Sequence, residues 1–198
     1  MRYFCEIQLL ESEEIPLYFL WSKVFQQVHL ALVKIKDNNN TVSIGISFPD
    51  YIMDGENSLL GKRLRLFAKD PDNLVRLRIE DRLLRMRDYI QIKNIQEVPQ
   101  LKTYAHFYRQ QFKSTNPERL ARRFAKRHNI SFEEALEHYK KLDAEAVVKS
   151  NKLPYIHLQS ASTGQRHRLF IVKKTADVEV AGRFNTYGLS KMATIPCF

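Results

Sequence analysis

Apolar and polar residues alternate from Arg2 to Leu10, placing Tyr3, Cys5, Ile7 and Leu9 on one face. A period of two is that of a strand buried on one side. From Leu17 to Ile35 the spacing changes: Leu17, Leu20, Trp21, Val24, Phe25, Val28, Ala31 and Leu32 form a helical stripe that stops before Asp37-Asn38-Asn39-Asn40, a turn sequence. Period two returns at Val42, Ile44, Ile46 and Phe48, and again near Lys62 to Ala68 after a loop around Pro49 to Gly61. Asp70 and Pro71 suit the cap and first turn of a helix carrying Leu74, Leu77, Leu83 and Leu84, and Tyr89 to Val98 reads as a further strand. The order β-α-β-β-α-β predicts an α+β fold whose first domain, residues 1–98, is ferredoxin-like.

After Pro99 the composition shifts toward Arg, Lys, Gln and aromatics, which places a boundary or hinge near residues 97–101 and a second domain over 99–198. Asn116 and Pro117 open a helix over 117–128, and Ser131-Phe132-Glu133-Glu134 is a capping box for the next one. A hairpin is expected over 155–174, turning at Ser162-Thr163-Gly164.

The charge changes the picture most. The 198 residues carry 32 Lys and Arg against 22 Asp and Glu, a net charge of +10 at pH 7, so a polyanion is the first partner to consider. On the helix over 117–128, Arg119, Arg122, Arg123, Lys126 and Arg127 fall within one arc at ~100° per residue, opposite Leu120, Ala121, Phe124 and Ala125. Such a rod repels itself unless phosphates lie alongside, although a solvated surface helix would share the pattern. The helix alone favours DNA or the end of an RNA duplex, because the deep groove of regular A-form RNA admits side chains poorly. Upstream, Arg109-Gln110-Gln111 lies among Tyr104, Phe107, Tyr108 and Phe112, a mix that suits base edges and stacking but also a linker packed across a domain junction.

Other classes drop out. Two cysteines, Cys5 and Cys197, make neither a disulfide framework nor a thiolate zinc site and fit a reducing cytoplasm. The longest strongly apolar run, Ile15 to Trp21, is too short to span a bilayer, so no membrane role is expected. The chain lacks H-E-x-x-H, a G-K-[ST] loop, clustered carboxylates and G-x-S-x-G, which counts against zinc proteases, P-loop NTPases, two-metal nucleases and α/β-hydrolases. Acid–base chemistry would then fall to His29, His106, His128, His138, His157 or His167, and periodicity alone makes His29 a boundary residue of the first helix.

Four segments narrow the choice. Gly45-Ile46-Ser47-Phe48-Pro49-Asp50, Lys113-Ser114 with Asn116-Pro117-Glu118-Arg119-Leu120, Ser162-Thr163-Gly164-Gln165 with Arg168-Leu169-Phe170-Ile171, and Tyr187-Gly188-Leu189-Ser190-Lys191 together resemble the type I-F CRISPR-associated endoribonuclease family that cuts precursor CRISPR RNA. The resemblance implies His29 as general base, Ser160 as the residue holding the nucleophilic 2′-hydroxyl and Tyr187 as support for the histidine. It further implies that Arg109 and Gln111 read purines at the base of a stem and that the five cations of the basic helix follow its groove. Ser162 and Thr163 would contact the RNA, and His167 or Arg166 would cap the stem. No metal or cofactor is implied. The expected partners are the CRISPR repeat stem-loop and the other subunits of a type I-F surveillance complex. A non-catalytic hairpin-binding subunit and a general basic nucleic-acid or ribosome-associated protein are the rival readings.

Overall fold

The alternating segment near the start becomes strand β1 (Tyr3–Leu9), and the apolar stripe becomes helix α1 (Leu17–Lys34). Next come β2 (Thr41–Val42), β3 (Gly45–Ser47), a hairpin of β4 (Ile52–Asp54) and β5 (Asn57–Leu59), and β6 (Arg63–Ala68). Helices α2 (Pro71–Val75) and α3 (Ile79–Leu83) lead to β7 (Ile90–Ile92) and β8 (Gln96–Glu97). The second half runs β9 (Thr103–Gln110), α4 (Pro117–His128), α5 (Phe132–Asn151), β10 (Tyr155–Gln159), β11 (Arg166–Ala176), β12 (Phe184–Asn185) and β13 (Ile195–Cys197). The structure is a computed structural model that describes residues 1–54, 57–100, 102–112, 116–160 and 163–198.

In the first sheet β1 lies between β6 and the pair β7 and β8, and β3 flanks β6, all antiparallel. That is the strand order of a ferredoxin-like unit, so the α+β reading holds. The second sheet has the order β10-β11-β9-β13, also antiparallel, with α4 and α5 inserted between β9 and β10. β12 returns to pair with β2, Phe184 opposite Val42. One apolar core runs through both sheets: Phe48 meets Trp21 and Phe25 on one side and Phe107 of β9 on the other.

Several local expectations change. The single helix carrying Leu74, Leu77, Leu83 and Leu84 is broken at Arg78, whose φ of 48° is left-handed. In an unbroken helix at ~100° per residue, Leu74, Leu77 and Leu84 share a face while Ile79 and Leu83 point away. The break turns Ile79 and Leu83 inward and leaves Leu84 61% exposed. Asp70 does cap α2, accepting from the Asp72 amide. β1 is covered on both faces rather than one. Phe4 packs on Phe67 and Phe198, and Glu6 is buried between Arg65 (2.7 Å) and Lys93 (2.7 Å), which hold its carboxyl below the usual range against the cost of burial. The strand expected over Tyr89 to Val98 is interrupted into β7 and β8, and the loop around Pro49 to Gly61 contains the β4–β5 hairpin. The stretch from Thr103 to Gln110, which composition left without an element, is a central strand with Ala105 and Phe107 buried.

Candidate active site and nucleic-acid interface

The spacing of α1 fixes where His29 points. Val28 and Leu32 are fully buried, so His29, one position past Val28, lies at the edge of the buried face, half in the protein and half open. Its Nδ1 lies 2.8 Å from the carbonyl oxygen of Thr186, and its ring stacks on Tyr187 at 4.2 Å with an interplanar angle of 15°. A carbonyl oxygen can only accept, so this bond requires the proton on Nδ1 and leaves the lone pair of the neutral ring on Nε2. Burial lowers the His29 pKa below its ordinary 6.5; the Thr186 bond opposes this and the charge on His167 adds to it. The imidazole is therefore neutral at pH 7, the form a general base needs.

The loop that presents Thr186 and Tyr187 is built by Asn185 and Gly188. The Asn185 Oδ1 accepts from the amides of Tyr187 (2.9 Å) and Leu189 (3.2 Å), an Asx turn, and the Gly188 amide bonds back to the Asn185 carbonyl. Gly188 has φ 70°, and a Cβ there would meet Ile46 at 2.6 Å, because its carbonyl accepts from the Ile46 amide across the tight approach. Arg183 ties the preceding strand to Asp37 (2.6 Å) and to the Thr41 hydroxyl (3.1 Å). Hydrogen bonds from the Thr41 amide and hydroxyl, with a smaller contribution from Arg183, pull the Asp37 pKa down to about 2. A loop near the end of the chain is thereby set beside a helix near its beginning.

Two more predicted residues join this cluster. The Arg109 guanidinium stands 5.6 Å from the Tyr187 ring centre. Beside it on β11, His167 is held below its ordinary pKa by burial and by Arg109. Arg109 Nε and His167 Nε2 are both buried without a hydrogen-bond partner, a rare state for native polar atoms. His167 thus turns its Nε2 inward, whereas Arg166 is exposed. Gln111, just past the end of β9, is exposed.

Ser160 follows β10, where its amide donates to Gln165 and its carbonyl accepts from Gly164, closing a turn with Gly164 at φ 67°. Its Oγ accepts from the Thr163 amide at 3.3 Å. The Gln159 amide reaches Gln26 of α1 at 3.3 Å, one turn before His29, so this turn is docked on the same helix. Ser162 lies outside the described residues, as do Lys113 and Ser114. The hairpin itself forms as expected, Tyr155–Gln159 against Arg166–Ala176.

The cations of α4 sit apart from the histidine cluster. Asn116 caps the helix by accepting from the Arg119 amide, Pro117 opens it, and Asn129 closes it in the left-handed conformation. Phe124 packs on His128, His138 and Tyr139, fastening α4 to α5, while Arg119, Arg122, Arg123, Lys126 and Arg127 are all exposed. Lys126, Arg127 and His128 also suit the negative end of the helix dipole. Among the described residues no group of three or more His, Cys, Asp and Glu is arranged to hold a metal ion. No helix among them is long and apolar enough to cross a membrane.

Sequence reading passed over Thr186, Asn185, Arg183, Asp37 and Gln26. Asn185 with Gly188 around Tyr187, and Asp37 in the Asp37-Asn38-Asn39-Asn40 turn, left local signs of turns but none of the site.

The fold and site define a ferredoxin-like α+β protein with a neutral histidine set on a backbone carbonyl and a separate, exposed cationic helix. Comparison with known proteins narrows the class. The family model described as CRISPR-associated protein (Cas_Csy4) matches residues 4–198. A protein of Pseudomonas aeruginosa (strain UCBPP-PA14) named CRISPR-associated endonuclease Cas6/Csy4 is 39% identical over the full length of both chains. A protein of the same name from Escherichia coli (strain UTI89 / UPEC) is 33% identical, again over both full lengths. The chain belongs to the Cas_Csy4 family.

Proposed function

We propose that this protein is an RNA endonuclease of CRISPR RNA maturation that cleaves the repeat hairpin of precursor CRISPR RNA without a metal. The observation that carries the reading is the His29 Nδ1 bond to the Thr186 carbonyl, which leaves Nε2 free to take a proton. RNA brings its own nucleophile. His29 Nε2 removes the 2′-hydroxyl proton, the 2′-oxygen bonds to phosphorus, and the bond to the 5′-oxygen breaks. The products are a 2′,3′-cyclic phosphate and, after proton uptake, a 5′-hydroxyl. Ser160 holds the 2′-hydroxyl, and Tyr187 fixes the plane of the imidazole through the stacking contact.

Recognition divides between the two halves, 1–98 supplying the base and 99–198 most of the RNA contacts. Arg109 and Gln111 meet purine edges at the stem base, where Arg suits the O6 and N7 of guanine. Arg119, Arg122, Arg123, Lys126 and Arg127 track the stem phosphates, since a short hairpin opens its groove at its ends. Thr163 lies on the turn beside the cut, and His167, with Arg166, completes the contact surface there. The product hairpin stays bound and carries the protein into a type I-F surveillance complex in the cytoplasm.

The test is cleavage of a labelled repeat hairpin in EDTA, alongside the same RNA with a 2′-deoxy nucleotide at the scissile position. One cut at the 3′ base of the stem in the all-ribose RNA, and binding without cleavage of the deoxy RNA, are expected. Tight binding with no cut in either would make the chain a hairpin-binding subunit.

A further inference from the structure

Ser160 and His29 stand on different elements, and the proposed reaction needs the group that holds the 2′-hydroxyl and the group that takes its proton to be set against each other. Apolar packing alone leaves that setting loose. Ile156 and Leu158 of β10 are buried where the strand packs on α1. Burial of apolar surface is non-directional, so it holds the two elements together without fixing how far one slides along the other. A hydrogen bond has a direction and a length.

β10 is the edge of its sheet and pairs with β11 alone. Along such an edge the amides point alternately toward the partner strand and away from it. The Ser160 amide points toward β11 and bonds to the Gln165 carbonyl at 2.8 Å. The Gln159 amide therefore points the other way, off the edge of the sheet, where the Gln26 Oε1 of α1 accepts from it at 3.3 Å. The Gln159 side chain closes over the turn, its Nε2 donating to the Gly164 carbonyl at 3.1 Å, and the Gly164 amide donates to the Ser160 carbonyl at 2.9 Å. These bonds tie the turn to itself, and the bond to Gln26 ties it to the helix. Gln26 is half-buried and lies three residues before His29, about 4.5 Å along the axis and about 60° around it, so both side chains leave the same side of α1. One contact thus joins the residue next to Ser160 to the turn of helix next to His29.

We propose that Gln26 is a positioning residue: by accepting from the Gln159 amide it fixes the register of β10 on α1, and so the place of Ser160 relative to the His29 imidazole. The proposal rests on the reading of Ser160 and His29 as the groups that hold and deprotonate the 2′-hydroxyl. Gln26 acts through Ser160, so its loss slows cleavage and leaves the hold on the stem intact.

Gln26→Met tests this, because methionine keeps the length and the helix preference of glutamine and removes the acceptor. Single-turnover cleavage at saturating enzyme should fall by about tenfold, less than the roughly 10²-fold cost of a full ångström of misplacement. Affinity for a deoxy-blocked hairpin should be unchanged. On a Ser160→Ala background the same substitution should slow cleavage no further, since a residue that acts through the Ser160 hydroxyl has nothing left to place. A merely structural role would instead give the same loss on both backgrounds. A wild-type rate in Gln26→Met, a loss carried by affinity rather than rate, or an equal loss with and without the Ser160 hydroxyl would each overturn the proposal. The unaltered protein and Ser160→Ala decide the level beneath it. If the unaltered protein leaves all-ribose hairpin whole, or Ser160→Ala cuts at the full rate, the reading of the site falls. If both behave as expected and Gln26→Met cuts normally, only the role of Gln26 falls.

Discussion

Helix α4 and the His29 cluster, the two regions to which the proposed function assigns the RNA, are built in opposite ways. α4 is made locally: its cap, its opening proline, its closing asparagine and its apolar stripe all lie within 116–129, and its partner α5 follows at once. Its cations stand in water, and in the proposed function they act by number and sign. The His29 cluster is made at long range, from α1, the Thr186 loop, β9 and β11, and in the proposed function it acts through the position of one lone pair. Charge can be presented by a surface helix that is tolerant of small shifts. A base must be held within a fraction of an ångström, which takes a core, two sheets and a returning strand.

The largest difference between the regions should appear when each loses its central side chains. His29→Ala is expected to lower single-turnover cleavage by about 10²–10⁴-fold, the usual worth of a general base, with hairpin affinity nearly unchanged. A matched loss of binding and cleavage would move His29 from chemistry to recognition. Gly188→Ala tests whether the cluster depends on its distant scaffold. The added Cβ collides with Ile46 and strains a left-handed residue, so the loop shifts and cleavage should fall by about 10²-fold, with a lower melting temperature. Wild-type turnover in that variant would show that the loop does not set the histidine.

The α4 counterpart is an Arg122→Gln/Arg123→Gln variant. Its cleavage rate at saturating enzyme should be unchanged, while the dependence of log affinity on log salt falls by about one unit per lost phosphate contact. An unchanged slope would take those arginines off the phosphates. The smallest effect belongs to the cap. Asn116→Ala should cost about 1 kcal/mol of stability, read by denaturant unfolding, because one amide at the helix start loses its acceptor.

The same contrast explains what could be read from the amino acids alone. The bounds of α4 and the capping box of α5 emerged intact, since caps, prolines and stripes are local signals. The ferredoxin-like order was legible for the same reason. β9 was not: its polar residues Thr103, His106, Arg109 and Gln110 hide the alternation of Ala105 and Phe107, and it is a strand because β11 and β13 pair with it on either side. The break at Arg78 follows from what the sheet must bury, which no helical period records. His29 looked like an edge residue of an amphipathic helix, and by packing it is one. Only resemblance singled it out, because Thr186 and Tyr187 lie some 157 residues further along the chain. The Arg183–Asp37 pair that anchors their loop joins positions separated by 146 residues, and such pairs leave no periodic trace.

The central claim is that His29, neutral and with its lone pair on Nε2, takes the proton from the 2′-hydroxyl. A base must be unprotonated to act, so the rate rises with pH through its pKa and then levels off. Burial depresses the folded pKa, so the neutral ring is favoured in the native state; its share of stability is present above pH 6.5 and fades as pH falls through the folded pKa. The decisive measurement is the single-turnover cleavage rate of hairpin RNA across pH for the unaltered protein and His29→Ala. The account predicts an acid limb centred below pH 6.5, a plateau at neutral pH, and no such limb in the residual rate of the variant. An acid limb that persists at the same pH after His29 is removed would contradict it.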